Sequence, residues 1–403
     1  MHAVHEIADG VFWVGVNDRR IERFENMFPL SDGVAYNAYL IKDEKTALLD
    51  TVESSVRDRF LQQVENVLDG RALDYLVIHH MEPDHCGNIE EIVRRYPEVK
   101  VVGNRKTFEF FKHYYRADLS ANAQVVKEGD ILSLGTRSLR FYLAPMVHWP
   151  EVMFSMDLSD GMLYSADAFG SFGALPGTLF ADELDFNRYF LGETRRYHAN
   201  IVGRYGNQIQ AVLKRLPVDS ISMICPLHGP IWRKDLSVIW DKIDTWSAYR
   251  PERTGVVFIY ASMYGNTAEV AETLAFKLGD RGVGDIRLHD VSKTHPSHII
   301  ADLWEYSHMV VASPTYNMQL YPPMDALLRE LAMLNLQDRD VAIIGNHTWS
   351  SAAVRQMIGL FGTMKDIRLL GEPLDIHSSL KAEEEPTLDS LADVIFESVL
   401  NRS

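Results

Sequence analysis

The chain has 403 residues, enough for two or three domains at about 150 residues each. Its 46% hydrophobic and 24% charged content is ordinary for a globular protein and excludes fibrous and disordered classes. The net charge of −16 speaks against nucleic acid as a partner, no apolar run approaches the roughly 18 residues of a membrane span, and the two cysteines, Cys86 and Cys225, exclude a disulfide scaffold, a CxxC zinc ribbon and a four-cysteine iron–sulfur cluster.

Near the N-terminus, Glu6 and Asp9 stand where a secretion signal would carry Lys or Arg, which predicts a cytoplasmic protein without a membrane partner. Strands are predicted over 34–41 and 46–49, joined by the turn Lys42-Asp43-Glu44-Lys45. A helix over 56–68, a strand over 73–78 and a βαβ-like unit over 89–102 follow. From 124 to 165 the pattern turns to short strands with Gly129, Gly135 and Gly161 in the turns, and helices return over 186–216. Strands at both ends with helices outside predict an αββα sandwich. A helical pattern over 236–246 runs into the polar stretch Ala248-Tyr249-Arg250-Pro251-Glu252-Arg253-Thr254-Gly255, which reads as a linker. This divides the chain into a first domain over 1–250 and a second over 251–403. The second alternates strands (256–261, 285–288, 309–313, 341–345, 367–370) with helices, the pattern of a doubly wound α/β parallel sheet. Glu383-Glu384-Glu385 reads as a solvated loop and helix start.

The densest chemistry is His79-His80-Met81-Glu82-Pro83-Asp84-His85-Cys86-Gly87. It follows a strand, where α/β sheets present their ligands, and Pro83 and Gly87 keep it from continuing as a regular strand or helix. His80, Glu82, Asp84 and His85 are four potential metal ligands within six residues. His148, Asp167 and His228 each follow a predicted strand in the same way. A lone histidine at such a place is more often structural; three such residues beside a four-ligand cluster point to a metal centre. Glu82, Asp84 and Asp167 bring three anionic oxygens, which with imidazoles favour iron or manganese over a thiolate-loving metal. Cys86 and Cys225 read as small apolar fillers.

The second domain has its own cluster. Ser262-Met263-Tyr264-Gly265-Asn266-Thr267 lies between a strand and a helix, and hydroxyls with backbone N–H groups at a helix N-terminus form a phosphate cradle. Alone it reads equally well as a helix cap. Two further loops, Ser313-Pro314-Thr315-Tyr316-Asn317-Met318 and Gly345-Asn346-His347-Thr348-Trp349-Ser350-Ser351, follow later strands. Three such loops converge at the switch point of a flavodoxin-like sheet, where FMN binds. The absence of GxGxxG argues against a dinucleotide. Tyr316 and Trp349 are candidates to stack on the flavin ring.

The first constellation resembles the metallo-β-lactamase superfamily, whose first motif is commonly His-x-His-x-Asp-His. Here Glu82 takes the third place, and His-x-Glu-x-Asp-His is similar to the flavodiiron proteins. The intervals agree as well: 62 residues between His85 and His148, 18 between His148 and Asp167, and 60 between Asp167 and His228. So do Arg23-Phe24-Glu25, the stretch from Gly33 to Leu40, Pro145-Met146-Val147-His148-Trp149-Pro150 and His228-Gly229-Pro230-Ile231-Trp232. The resemblance spans the chain and implies a metallo-β-lactamase-like diiron domain followed by a flavodoxin-like FMN domain. It implies that one iron takes His80, Glu82 and His148, the other takes Asp84, His85 and His228, and Asp167 bridges them. His79 is then a supporting residue. Met81 stands where Thr is frequent, His198 where the family commonly has a Tyr bordering the pocket, and Asn346-His347-Thr348 departs from the family's loop. The implied activity is reduction of O2 to water, of NO to N2O, or of both. The electrons come from an external donor, rubredoxin or the reduced deazaflavin F420H2, through FMN in a head-to-tail homodimer or dimer of dimers. The rival readings are a binuclear zinc hydrolase carrying a flavodoxin module and a flavodoxin-type electron carrier on a degenerate metal scaffold.

Overall fold

A computed structural model describes residues 5–402. Its contacts divide the chain into two units, Met1–His198 with Asn207–Ile243, and Ala199–Gly206 with Asp244–Ser403.

The first unit is built on two sheets. Strands His5–Ala8 (β1), Val11–Trp13 (β2), Tyr39–Lys42 (β3), Thr46–Leu49 (β4), Tyr75–Val77 (β5), Lys100–Gly103 (β6) and Ala123–Val125 (β7) form the larger one, in sequence order. Pairing is antiparallel up to β4 and parallel from β4 to β7. The central strands β4 and β5 are buried on both faces, so they read as unbroken apolar runs rather than alternating ones. Helix Arg57–Leu68 buries Phe60, Leu61, Val64, Val67 and Leu68, the i, i+4, i+7 stripe of an amphipathic helix, and ends at Asp69 in the left-handed region (φ 47). Strands Ile131–Ser133 (β8), Ser138–Leu143 (β9), Met153–Asp157 (β10), Met162–Tyr164 (β11) and Met223–Cys225 (β12) form the second sheet, antiparallel except for the parallel pair β11–β12. The αββα expectation holds.

Two local expectations do not. The strand expected over 34–41 is two: Val34–Tyr36 pairs with Val16–Asp18, and only Tyr39–Lys42 joins the large sheet. The break falls at Asn37, whose side chain donates to Pro226 O and Gly229 O (both 2.9 Å) and accepts from Trp13 Nε1 (2.8 Å). Pro83 does not prevent a helix either. It occupies the first position of the single turn Pro83–Cys86, where its missing N–H costs nothing.

In the second unit, strands Arg253–Tyr260 (β13), Ile286–Asp290 (β14), Tyr306–Tyr316 (β15), Arg339–His347 (β16) and Ile367–Leu369 (β17) are all parallel, in the order β14-β13-β15-β16-β17. This is the doubly wound flavodoxin order, with its switch point between β13 and β15. A further strand, Leu374–His377 (β18), pairs with the C-terminal half of β16. Helices Asn266–Asp280 and Glu385–Arg402 cover one face, with Val270, Leu274 and Leu278 in one core with Leu388, Leu391 and Ile395. Among the described residues no helix is long and apolar enough to cross a membrane.

Candidate metal centre and cofactor cleft

The ends of four strands carry the seven predicted ligands to one place. His80 and Glu82 follow β5, with Asp84 and His85 in the turn that Pro83 opens. His148 lies in the loop between β9 and β10, Asp167 follows β11, and His228 follows β12. Ala166, left-handed at φ 48, bends the chain just before Asp167. Gly229 (φ 75) follows His228 in a space where a Cβ would meet Ser171 Cβ at 2.7 Å.

All seven side chains come together in two groups: His80, Glu82, His148 and Asp167, and Asp84, His85 and His228. Glu82 Oε2 is 3.1 Å from both His80 Nε2 and His148 Nε2. Asp84 Oδ2 is 3.4 Å from His85 Nε2 and 3.2 Å from His228 Nε2. Asp167 reaches both groups, with Oδ2 3.1 Å from His148 Nε2 and Oδ1 3.1 Å from His85 Nε2.

These atoms fit a pair of metal ions. Asp84 Oδ1 and Oδ2, His85 Nε2, Asp167 Oδ1 and His228 Nε2 are buried without a hydrogen bond. Such atoms are costly unless they bind a cation. Around a metal bound at about 2.0–2.2 Å, ligand–ligand edges run about 3.0–3.5 Å, the range of the separations above. His80 Nε2 and His148 Nε2 face each other at 3.3 Å, a repulsive approach for two lone pairs that a shared cation makes favourable. The donor set is imidazole and carboxylate without thiolate, a hard set suited to iron. Burial pushes the Cys86 thiol up to about 12, which agrees with its reading as a filler.

Electrostatics ties the groups together. Burial opposes ionisation of Asp167, but the nearby His85 and a hydrogen bond from His148 hold its carboxyl well below the carboxylate range. Burial likewise opposes protonation of His148, and hydrogen bonds to Asp167 and Glu82 overcome it, raising it to about 9. Protons and metal ions therefore compete for the same nitrogens.

A supporting layer orients the ligands, and sequence reasoning missed most of it. Glu151, fully buried, accepts from His80 Nδ1 (2.7 Å) and from Met81 N (2.8 Å), so His80 presents Nε2 inward. His228 Nδ1 donates to Ala35 O (2.8 Å) with the same effect. His79 is occupied elsewhere, with Nδ1 2.5 Å from Asp50 Oδ2 and Nε2 2.7 Å from Ser155 Oγ. The signal for Glu151 was its place three residues past His148; Asp50 carried none.

A residue that the sequence reading did not single out, Tyr197, stands at the site. The Tyr197 ring lies 5.5 Å from that of His228, with its hydroxyl buried and unbonded, and Phe24 and Phe172 pack against it. Burial, then the charge of Asp167, raises the Tyr197 hydroxyl far above its usual range. The next residue, His198, is buried and opens a π-helical turn over His198–Val202. Burial pushes its imidazole down to about 3.

The second cluster lies within the second unit, at the switch point. Ser262, Met263, Tyr264, Asn266, Thr267, Pro314, Thr315, Asn317, Asn346, His347 and Trp349 all line one cleft. Gly265 (φ 99) caps helix Asn266–Asp280 in a backbone shape that side chains disfavour, and its N–H donates to Ser262 Oγ (3.1 Å). This helix N-terminus, with hydroxyl side chains along the same cleft, fits the phosphate of a phosphorylated flavin. Ser313 and Tyr316 do not line the cleft: Ser313 is buried and donates to Pro314 O (3.2 Å), and Tyr316 packs edge-on against Tyr321. The Thr315 hydroxyl accepts from Ala352 N (3.0 Å) and Ala353 N (3.1 Å). It thereby caps helix Ala353–Phe361.

Comparison with known proteins agrees with both halves. The family model described as ODP family beta lactamase matches residues 34–229, and that for flavodoxin matches residues 258–392. The chain is 32% identical over 370 residues to the nitric oxide reductase of Moorella thermoacetica, covering 91% of each chain. It is 28% identical over 400 residues to the anaerobic nitric oxide reductase flavorubredoxin of Escherichia coli, covering 96% of this chain and 79% of the relative. Rubredoxin oxygen:oxidoreductase from Desulfovibrio gigas superposes with a TM-score of 0.91 at 28% identity, covering 99% of both chains. A two-sheet domain with a dinuclear ligand set, followed by a flavodoxin domain, defines a redox enzyme that couples a flavin to a metal pair, and the chain belongs to the flavodiiron protein family. It is an oxidoreductase whose cofactors are FMN and a diiron centre.

Proposed function

We propose that this enzyme scavenges a diatomic gas, reducing O2 to water, NO to N2O, or both, with electrons from an external donor, rubredoxin or F420H2. The observation that carries this reading is the convergence of seven buried ligands on two adjacent positions that share Asp167. The diiron domain is assigned to 1–250 and the FMN domain to 251–403. His80, Glu82 and His148 hold one iron, Asp84, His85 and His228 the other, and Asp167 bridges them. When bound, FMN and the irons supply the redox chemistry: O2 + 4e⁻ + 4H⁺ → 2H2O, or 2NO + 2e⁻ + 2H⁺ → N2O + H2O.

The chain's own residues set the conditions. Glu82, Asp84 and Asp167 place three negative charges in a buried site and favour a higher charge on the metals. Glu151 and Ala35 O fix the ligand tautomers. Phe24, Phe172 and Trp149 keep bulk water from the imidazoles. Tyr197 holds a proton on a buried hydroxyl beside His228.

In the second domain, Ser262, Asn266 and Thr267 bind the FMN phosphate, and Trp349 stacks on the ring. Tyr264 (91% exposed) and Trp349 (77%) leave an apolar rim around the cleft. That rim supports a head-to-tail homodimer, alone or paired into a dimer of dimers, in which electrons pass between subunits, and the enzyme works in the cytoplasm. Anaerobic assays of O2 and NO consumption, run side by side with each donor, test the reading. If protein with two irons and one FMN per chain consumes neither gas, the reading fails. Two zincs in place of iron would favour the hydrolase.

A further inference from the structure

The flavin cleft contains a side-chain pair that neither the phosphate loop nor ring stacking uses. His347 closes β16 and lines the cleft. Its Nδ1 is 2.9 Å from Asp375 Oδ1, and the other Asp375 oxygen accepts from Ser351 Oγ. Asp375 lies on β18, whose register sets Gly345 opposite Asp375 and His347 opposite His377. Gly345 makes room for the carboxylate, since a Cβ there would meet Asp375 Oδ1 at 2.9 Å. The imidazole is therefore held from behind. With Nδ1–H given to a carboxylate, Nε2 is the nitrogen left to take a proton. Among the described residues nothing hydrogen-bonds to it.

Charge makes this position distinctive. FMN is an anion, and reduction adds negative charge to its ring. Among the residues that line the cleft, only His347 can carry a positive charge, and none is a carboxylate. The titratable groups facing the imidazole are Asp375 and His377, the latter with ring centroids 4.2 Å apart. Lys381 Nζ is directed to His377 O.

We propose that the Asp375–His347 pair tunes the redox potential of the bound FMN: Asp375 positions the imidazole, and His347 Nε2 takes up a proton from solvent as the flavin receives electrons from the external donor. The electrons stay on the flavin, and the proton on Nε2 balances their charge. The proposal rests on the placement of FMN in this cleft. Asp375 acts through His347 and is a positioning residue.

The test is spectroelectrochemical titration of the purified holoenzyme across about pH 5–8, where an imidazole ordinarily titrates. His347→Gln should keep FMN bound, lose the pH break and lower the midpoint potential. A tenfold shift of the equilibrium corresponds to about 30 mV for a two-electron couple. His347→Arg, whose charge does not titrate, should keep the potential high without the break. Asp375→Asn should also change the potential, because the imidazole loses the hydrogen bond that holds Nε2 in the cleft. If His347→Gln and Asp375→Asn follow the wild-type potential at every pH, the proposal is overturned. Loss of FMN affinity without a change in potential overturns it too, and makes the pair part of the phosphate cradle. Loss of FMN from both variants has the same meaning. The placement of FMN is tested separately: if Thr267→Val leaves FMN affinity unchanged, the cleft assignment falls whatever the His347 variants do.

Discussion

Replacing Asp167 by alanine tests the shared ligand directly. Oδ2 lies 3.1 Å from His148 Nε2 and 3.4 Å from His80 Nε2, and Oδ1 lies 3.1 Å from His85 Nε2 and 3.7 Å from His228 Nε2. Each metal position loses one anionic partner, whereas Glu82→Ala removes one from the His80–His148 group only. If each lost charged contact is worth about 1.5–3 kcal/mol, affinity falls about tenfold to a hundredfold per position, and retention of both metals falls about 10²–10⁴-fold. Wild-type protein should carry two irons per chain. Glu82→Ala should approach one, Asp167→Ala should fall well below one, and both should lose gas reduction. FMN should stay at wild-type content in both, because every residue of the cleft belongs to the other unit. Metal analysis by mass spectrometry, with flavin absorbance on the same samples, gives both numbers. Two irons per chain in Asp167→Ala, or the same iron loss in the two variants, would refute the bridging assignment.

Three further expectations follow from other parts of the molecule. Thr267→Val should weaken FMN binding about tenfold to a hundredfold through loss of a hydroxyl–phosphate hydrogen bond, with iron unchanged; flavin occupancy after dilution and gel filtration decides. A heterodimer of one chain with His80→Ala and His85→Ala and one with Ser262→Ala and Thr267→Val should regain up to about half of wild-type activity, since one of its two interfaces is whole. Purified heterodimer with the expected FMN and iron contents but no recovery would mean that electrons travel within one chain. Asp340 is buried, with Arg368 Nε at 2.8 Å, Ser398 Oγ at 2.9 Å and Arg402 Nε at 3.0 Å. Burial opposes its ionisation, but hydrogen bonds from His308 and Arg368 prevail and depress its pKa. Its stabilisation is therefore complete above the unfolded value of about 4 and is lost as pH falls toward the lower folded value. Asp340→Asn should cost about 3 kcal/mol in urea unfolding of the flavin domain at neutral pH and progressively less below about pH 4; a pH-independent difference would contradict this.

The amino-acid sequence by itself determined the fold class, the seven candidate ligands and the loops that line the cleft. Each carries a local signal: a ligand just past a strand end, a glycine before a helix, an unbroken apolar run for a strand buried on both faces. Such signals survive because β-strand ends and helix N-termini impose the same geometry wherever they occur. What lies around the ligands was decided only by tertiary packing. Glu151 supports His80 across 71 residues, and Asp50 supports His79 across 29; neither pairing has a spacing that repeats along the chain. Tyr197 stands beside His228, and no local signal in the chain separates it from its neighbours. Ser313 and Thr315 carry the right hydroxyls in the right loop, yet one is turned into the sheet and the other is spent on a helix N-terminus. The Asp375–His347 pair exists because β18 adds in parallel to the end of β16. Sheet register sets that contact, and register is fixed by which faces become buried, a property of the assembled fold and not of either segment alone.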